Sequence, residues 1–356
     1  MRKLLLFLFP FFLLASEIET VSIPHPENGE KNIEFFLVRP QGDGPFPIIY
    51  LLHGYQYPEN ATGGKQLLDY GYHKFFIGNG TIVCSISTPG FGHSDGELDF
   101  CGPYSQKAVL GVIEYCKALD AVDSSRMGLY GISRGAILGS MVSTLTEDLS
   151  LQILEAGRYN AFDTFTALPS YLKGIRENLV AEGGSDEAAL LARSAIFHTD
   201  KIKAKTLILH GEFDDRMGLD SARTLHHNLI ERGICSELVV LPNALHCLPW
   251  EKWEIIAPFV RREFQDLYGV GMNIGPSVPL PQVSKILPGS SAEGKLKVGD
   301  AILEISPNND QEVVRVSRMP TPEVVRLILG GKGSKLRLHV IHFDQSTEEI
   351  VLTREN

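Results

Sequence analysis

Short apolar runs alternate with longer stretches of helical pattern between residues 30 and 265. The runs lie at 32–38, 48–52, 81–85, 127–130, 150–154, 206–210 and 237–241. Several are apolar almost throughout, which is typical of strands covered on both faces. The alternation predicts an α/β fold, with a mostly parallel sheet and helices on both faces.

The pattern changes after about residue 268. A turn at Gly299-Asp300 precedes a strand-like run, and Thr321-Pro322 is a good helix start because threonine caps the helix and proline fits its first turn. The predicted helix ends at Leu329, and a strand follows at Lys335–Ile341. The segment therefore predicts a second, small domain of β-rich α+β type.

The first sixteen residues are expected to be a targeting segment. Arg2 and Lys3 precede an apolar run at 4–14, and Ala15-Ser16 offers small residues for cleavage. The run is too short to span a bilayer but suits a secretion signal. We expect an exported protein, periplasmic or secreted, with no integral membrane segment after signal removal; an uncleaved anchor is the alternative.

Composition supports a globular protein of more than one domain. The chain has 356 residues, 44% apolar and 21% charged, which exceeds the size at which single cores stop growing. The expected divisions are 1–16 signal peptide, 17–267 first domain and 268–356 second domain. A net charge of −10 argues against nucleic acid as a partner.

The cysteines form no metal-binding pattern. The chain has five, at Cys84, Cys101, Cys116, Cys235 and Cys247. In an exported protein one or two disulfides are possible and the pairing stays open, although free buried cysteine is common in strands and helices. Cys247 adjoins His246, where we interpret it as a packing residue. No metal is predicted.

A Gly-x-Ser-x-Gly pentapeptide, Gly131 to Gly135, lies between a strand-like run and a helical run of small residues at 136–146. In that setting it predicts a nucleophile elbow, in which a serine stands on a sharp strand-to-helix turn. Glycines suit the turn because the backbone is strained and neighbouring chain passes too close for a Cβ atom. Ser133 is the predicted nucleophile.

An acid and a base follow in the chain order typical of this elbow. Asp214 comes just after the apolar run at 206–210, with Asp215 as the alternative acid, and His246 follows the run at 237–241. A serine hydroxyl needs a histidine to take its proton, and a carboxylate fixes the imidazole tautomer. We predict the catalytic triad Ser133, Asp214 and His246.

The predicted oxyanion hole uses two backbone N–H groups. One belongs to Arg134, directly after the nucleophile, and the other to Tyr55, after the strand-like run that ends in His53-Gly54. The phenol of Tyr55 or of Tyr57 is an alternative donor, and both rings could instead be packing residues in the loop.

At these motifs the region from about 30 to 265 resembles an α/β-hydrolase of the prolyl oligopeptidase type, a family of serine peptidases and esterases. The matching residues are His53-Gly54, the segment 89–96, the elbow at Ser133, the segment 210–216 and His246. The resemblance implies the α/β-hydrolase fold and the same triad. Two positions depart from the pattern, Ala136 after the elbow and Met217 after the acid turn.

A helical stretch of mixed polarity separates the runs at 150–154 and 206–210. An insertion there commonly forms a cap over the pocket, and we expect one at about 157–203. Arg158, Tyr159 and Arg176 either contact substrate or only pin the cap.

The segment 268–356 resembles a PDZ domain of the type found in carboxyl-terminal processing proteases. Its marks are Gly299-Asp300, Pro288-Gly289 and the turn at 331–334, and Gly269, Val270, Gly271 and Met272 match the carboxylate-binding loop. Such a loop offers backbone N–H groups to the terminal carboxylate of a peptide that adds a strand to the sheet edge. The alternative is a domain that only packs on the hydrolase or mediates oligomerisation.

These features together predict an exported serine hydrolase that cleaves amide or ester bonds through an acyl-enzyme, most simply a peptidase whose PDZ domain assists peptide binding. Its partners would be a peptide or small ester substrate and a protein C-terminus. The alternatives are a carboxylesterase whose PDZ domain serves protein interaction, and a non-catalytic peptide-binding module. No cofactor is implied, because covalent serine chemistry needs none.

Overall fold

The computed structural model describes residues 17–166, 173–275, 279–309 and 312–355. The chain divides into two compact units at Pro249 and Trp250. This division lies earlier than the predicted boundary at 267/268, so the last helix of the expected hydrolase segment belongs to the second unit. The predicted signal segment, 1–16, lies outside the described residues.

The first unit is built on one eight-stranded sheet. Its strands are β1 (Ile18–His25), β2 (Asn28–Val38), β3 (Phe46–Leu52), β4 (Ile82–Ile86), β5 (Val122–Ile132), β6 (Leu149–Glu155), β7 (Lys205–Gly211) and β8 (Ser236–Leu241). They lie in the order β1-β2-β4-β3-β5-β6-β7-β8. The pairs β1·β2 and β2·β4 are antiparallel, and the others are parallel. The prediction of a mostly parallel sheet is confirmed.

Eight helices accompany this sheet in the described part of the first unit. They are α1 (Lys65–Asp69), α2 (Tyr72–Gly78), α3 (Pro103–Lys117), α4 (Arg134–Val142), α5 (Asp163–Thr166), α6 (Lys173–Gly183), α7 (Glu187–Leu191) and α8 (Asp220–Glu231). Three of them, α5, α6 and α7, lie within the expected cap segment. The α/β-hydrolase architecture with a helical insertion therefore follows.

The central strands are apolar because both of their faces are covered. Residues 47–52 of β3 and all of β4 are buried. The edge strand β1 was missed by the sequence analysis. It is largely exposed and contains Pro24, so it lacks the continuous apolar run that marked the other strands.

The second unit contains two helices, α9 (Trp253–Gln265) and α10 (Thr321–Ile328). Its strands are β9 (Met272–Ile274), β10 (Val283–Ile286), β11 (Ala301–Ser306), β12 (Val314–Arg315), β13 (Lys335–Ile341) and β14 (Thr347–Thr353). β9 pairs with β10, and the other four form a sheet in the order β12-β11-β13-β14. A separate apolar core underlies this unit, as the prediction of a small β-rich domain requires.

A buried arginine fixes the end of α10. Arg354 is 2% exposed, and its guanidinium donates to the carbonyl oxygens of Ile328 at 2.6 Å and Leu327 at 3.2 Å. These bonds satisfy groups that a helix end leaves without intrahelical partners. Arg354, which directly follows β14, thereby holds α10 in place.

Within the described residues, we find no helix of the length and apolar character needed to cross a membrane.

Candidate active site and peptide groove

The predicted nucleophile stands on a strained turn between β5 and α4. Ser133 has φ 55° and ψ −114°, a conformation that side-chain-bearing residues rarely adopt. A Cβ on Gly131 would lie 2.2 Å from the carbonyl oxygen of Gly135, and one on Gly135 would lie 2.1 Å from that of Leu52. Both glycines are therefore required, because only a missing side chain permits these approaches.

The structure brings Ser133, His246 and Asp214 together, although 113 residues separate the serine from the histidine. Nε2 of His246 lies 2.9 Å from Oγ of Ser133, and Nδ1 lies 2.9 Å from Oδ2 of Asp214. These distances suit proton transfer from the hydroxyl to the imidazole. The three side chains have the connectivity of a Ser-His-Asp triad.

Asp214 is held as a carboxylate. Burial opposes its ionisation, but contacts with His210 and His246, together with the backbone N–H of Met217, outweigh burial and hold its pKa well below the usual range. The second oxygen accepts N–H bonds from Arg216 and Met217, each at 2.9 Å. Asp215, the alternative acid, is exposed, so the geometry favours Asp214.

His210 is a neighbour of the triad to which the sequence analysis gave no role. Its side chain is fully buried, and Nε2 lies 3.2 Å from Oδ2 of Asp214. This contact is one of those that hold the pKa of Asp214 low. The sequence signal for this role was its position at the end of β7, just before the turn that carries Asp214.

The two predicted oxyanion N–H groups, those of Tyr55 and Arg134, donate to no acceptor within the described ranges. The loop of Tyr55 passes close to the nucleophile, since a Cβ on Gly54 would lie 3.4 Å from Cβ of Ser133. The Gly54 carbonyl accepts a bond of 2.7 Å from Nδ1 of His53, which turns the N–H of the same peptide the other way. The rings of Tyr55 and Tyr57 are exposed.

His53 is kept neutral beneath this loop. Burial lowers its pKa to about 4, although its bond to Gly54 opposes the shift. Nε2 accepts the backbone N–H of Thr88 at 3.2 Å, so Nδ1 carries the proton that it donates to Gly54. A neutral imidazole thus joins the oxyanion loop to the segment after β4.

The side chain of Arg134 ties the nucleophile turn to the cap. Its guanidinium forms two bonds to Glu182 of α6, at 2.9 and 3.1 Å. The guanidinium carbon also lies 4.8 Å from the ring centre of Tyr55 and 4.3 Å from that of Phe100. From the sequence, only the backbone N–H of Arg134 was predicted to have a role, and this side-chain pair was missed. We call the pair the Arg134–Glu182 clamp.

The three cap residues with open roles make internal contacts. Arg158 is buried and donates to the carbonyl of Arg216 at 3.2 Å. Tyr159 is fully buried in an apolar cluster, and Arg176 donates to the carbonyl of Thr164 at 3.1 Å. All three therefore make contacts that hold the cap and the acid loop in place.

All five cysteines are free thiols in the structure. Cys84 and Cys116 lie with their sulfur atoms 3.9 Å apart in the core, and burial raises the pKa of Cys101 to about 12. Cys247 is exposed beside His246. Among the described residues, no three His, Cys, Asp or Glu side chains converge as metal ligands would.

The predicted carboxylate-binding loop turns its carbonyl groups towards the domain. The carbonyls of Gly269, Val270 and Gly271 accept N–H bonds at 3.0, 3.1 and 2.8 Å from Glu355, Ala292 and Leu287. Gly271 has φ 77°. The N–H groups of Val270 and Gly271 donate to no acceptor in the part of the chain that the structure describes.

A cavity of about 400 Å³ lies beside this loop, within the second unit. We call it the peptide groove. Its lining residues are Trp253, Glu254, Ala257, Pro258 and Arg261 of α9, Gly269–Ile274, Ser284, Leu287, Val325, Ile328 and Leu329. The groove therefore joins the loop, β9 and α10, which is where a PDZ domain receives an added strand.

Three family models match the chain. The prolyl oligopeptidase family model matches residues 99–257, and the model of X-Pro dipeptidyl-peptidase (S15 family) matches residues 29–168. A PDZ domain model matches residues 260–341. The two peptidase models fall mainly on the triad-bearing unit, although the first of them extends to residue 257 in the second unit, and the PDZ model falls on the second unit.

Among curated proteins, the chain is similar to the uncharacterized peptidase YuxL of Bacillus subtilis (strain 168), with 25% identity over 64% of this chain and 36% of the relative. It also matches an uncharacterized 31.7 kDa protein of Escherichia coli, from the traX-finO intergenic region, with 29% identity over 31% of this chain and 36% of the relative. The chain thus spans about a third of the length of these relatives.

Among solved structures, an acylaminoacyl peptidase of Pyrococcus horikoshii aligns with a TM-score of 0.57 and 17% identity over 70% of this chain and 42% of that one. An esterase of Pyrococcus furiosus aligns with a TM-score of 0.55 and 16% identity over 70% of this chain and 92% of that one. These likenesses establish the fold. The chain combines an α/β-hydrolase region that resembles the prolyl oligopeptidase family with a second unit that matches the PDZ domain model.

Proposed function

We propose that the protein is an active serine hydrolase that cleaves peptides through an acyl-enzyme, with the PDZ domain binding peptide ends. The observation that carries the catalytic part is His246, which lies 2.9 Å from both Ser133 Oγ and Asp214 Oδ2. We assign Ser133 as the nucleophile, His246 as the general base and then the general acid, and Asp214 as the group that orients the imidazole.

The reaction follows from this geometry. Ser133 Oγ attacks the carbonyl carbon of the scissile bond while His246 Nε2 takes the hydroxyl proton. The carbonyl oxygen becomes an oxyanion that the N–H groups of Tyr55 and Arg134 stabilise. His246 then gives its proton to the leaving amine or alcohol. A water molecule next attacks the acyl carbon while His246 takes its proton, and His246 returns that proton to Ser133 Oγ as the acid is released.

Peptides are the favoured substrates because of the second unit. Among the described residues the N–H groups of Val270 and Gly271 have no acceptors, and the groove beside them is largely apolar. Such a site suits the free C-terminus of an extended chain. A small ester has no free C-terminus for such a site to bind. One outcome of the test is therefore an esterase whose PDZ domain serves protein interaction.

We also propose that the protein is exported. The support is Arg2 and Lys3, the apolar run at 4–14 and the small residues that follow. Mass spectrometry of the N-terminus after expression in a bacterial host would test it. A mature chain that begins near residue 17 supports export, and an intact Met1 in the cytoplasm would contradict it.

The substrate class is tested by a paired assay. The purified protein is given short-chain aryl esters and peptides with free or amidated C-termini, with Ser133→Ala as control. Cleavage of free-terminus peptides by the wild type alone supports the peptidase. Turnover of esters only would replace it by an esterase, and no turnover of either would leave a binding module.

A further inference from the structure

The peptide groove has a wall that comes from outside the expected PDZ segment. Helix α9, which precedes the loop, lines it with Trp253, Ala257 and Arg261, among others. These three residues are spaced by four, so they share one face of the helix. Trp253 and Ala257 are buried, which shows that this face is turned inward. The PDZ family match begins at residue 260 and already includes Arg261.

Arg261 differs from the rest of this wall because the described residues provide no counter-ion for its charge. Its Nε atom is buried, and it contacts no hydrogen-bond acceptor among the described residues. The next residue, Arg262, is instead paired with Glu263 at 2.9 Å. A cation withdrawn from water without a partner is costly, so an anion that reaches the groove gains an electrostatic contact already in place.

The rest of the groove sets the remaining chemistry of the ligand. Met272, Ile274, Val325 and Ile328 present apolar side chains. The one carboxylate on the lining, that of Glu254, is paired with Lys285 at 2.8 Å and so does not neutralise Arg261. The groove therefore offers apolar contact beside a cation and two N–H groups.

We propose that α9 is part of the peptide site and that Arg261 is a specificity-determining residue for a peptide with a free C-terminal carboxylate and an apolar last residue. The carboxylate is held by the N–H groups of Val270 and Gly271 together with the Arg261 guanidinium, and the last side chain enters the apolar part of the groove. This inference rests on the proposed binding of peptide ends by the PDZ domain.

The test uses the full chain with Ser133→Ala, so that the probes are not cut. The probes are fluorescein-labelled hexapeptides that end in Ala, Val, Leu or Phe, each made as the free acid and as the amide, and binding is read by fluorescence anisotropy. We expect at least one free acid to bind more tightly than its amide. Arg261→Gln should weaken that free acid by about tenfold and leave the amide unchanged. Arg262→Gln is the matched control and should stay within about twofold.

The outcomes separate the two claims. If no free acid binds better than its amide, carboxylate capture fails and the Arg261 role fails with it. If the preference is present but Arg261→Gln retains it, only the Arg261 role is overturned. Circular dichroism checks that Arg261→Gln is folded; if it is not, Arg261→Lys, which keeps the charge, should retain a preference for the free acid that salt weakens. A preference that does not respond to salt would contradict the role.

Discussion

Two pairs of backbone N–H groups without acceptors mark the two units. In the first unit the pair belongs to Tyr55 and Arg134, and in the second unit to Val270 and Gly271, as far as the described residues extend. In the proposed function, both pairs receive negative charge on an oxygen atom. What differs is the group that stands beside them.

Beside the first pair stands Ser133, hydrogen-bonded to His246 at 2.9 Å, so the oxygen that arrives becomes charged only during reaction. Beside the second pair stand apolar side chains and the unpaired Arg261, so the oxygen arrives already charged and stays. Under the proposed function, the same backbone arrangement serves catalysis where a nucleophile faces it and binding where a groove does.

Loss of His246 is expected to abolish catalysis without affecting the binding of peptides. His246→Ala should lower kcat by roughly 10⁴-fold or more, because the triad acts as one unit. Binding of free-acid peptides should be unchanged, because the histidine does not line the groove. Steady-state kinetics and anisotropy measure the two, with the exposed His227 changed to Ala as control. Equal loss of both functions would contradict the separation.

The support of the oxyanion loop should be sensitive to acid. The folded pKa of His53, about 4, lies below its ordinary value of 6.5, so the folded state binds its proton less readily than the unfolded chain does. Its contribution to stability is complete above about pH 6.5 and is lost as the pH falls towards 4, by about 3 kcal/mol in all. Denaturant unfolding of the wild type and His53→Gln measures it. A pH dependence in this window that is equally steep in both proteins would rule out His53 as its source.

A change in the second pair of N–H groups should affect binding alone. Gly271 has φ 77°, so Gly271→Ala strains the loop and displaces its N–H groups. We expect about tenfold weaker binding of free-acid peptides, with hydrolysis of a small aryl ester unaffected. Gly275→Ala is the control, because Gly275 is not among the glycines with positive φ. Lost ester hydrolysis in Gly271→Ala would show that the sites are not independent.

The smallest effect concerns the Arg134–Glu182 clamp. Glu182→Gln keeps the shape but removes the charge that holds the Arg134 side chain at 2.9 and 3.1 Å. We expect kcat/KM to fall by about fivefold on small esters, because the backbone N–H of the same arginine is the proposed oxyanion donor. Glu187→Gln, at the start of α7, is the control. An unchanged kcat/KM would reduce the clamp to a structural contact.

The sequence was most informative where the fold dictates position. Ser133, Asp214 and His246 each follow an apolar strand, and the carboxyl ends of parallel strands meet at one edge of the sheet, so their proximity was predictable. The choice of Asp214 over Asp215 needed the structure, in which Asp214 contacts His246 and Asp215 is exposed. Pairing of Arg134 with Glu182 depends on how the cap folds back, which no local pattern records.

The second unit shows the same limit. Gly269–Met272 was recognisable because its glycines fit a known loop, and Lys335–Ile341 was found as a strand at its exact bounds. The role of α9 was not predictable, since its apolar face suits a hydrolase helix equally well. Only the three-dimensional structure shows that this face lines the groove beside the loop.

Ser133 is the proposed nucleophile. The most direct measurement is labelling of the purified wild type with a fluorophosphonate probe, followed by peptide mass spectrometry to locate the adduct. We expect one adduct, on Ser133, and no adduct in Ser133→Ala. Circular dichroism should show that the fold of Ser133→Ala is intact. An adduct on another residue, or labelling that persists in Ser133→Ala, would contradict it.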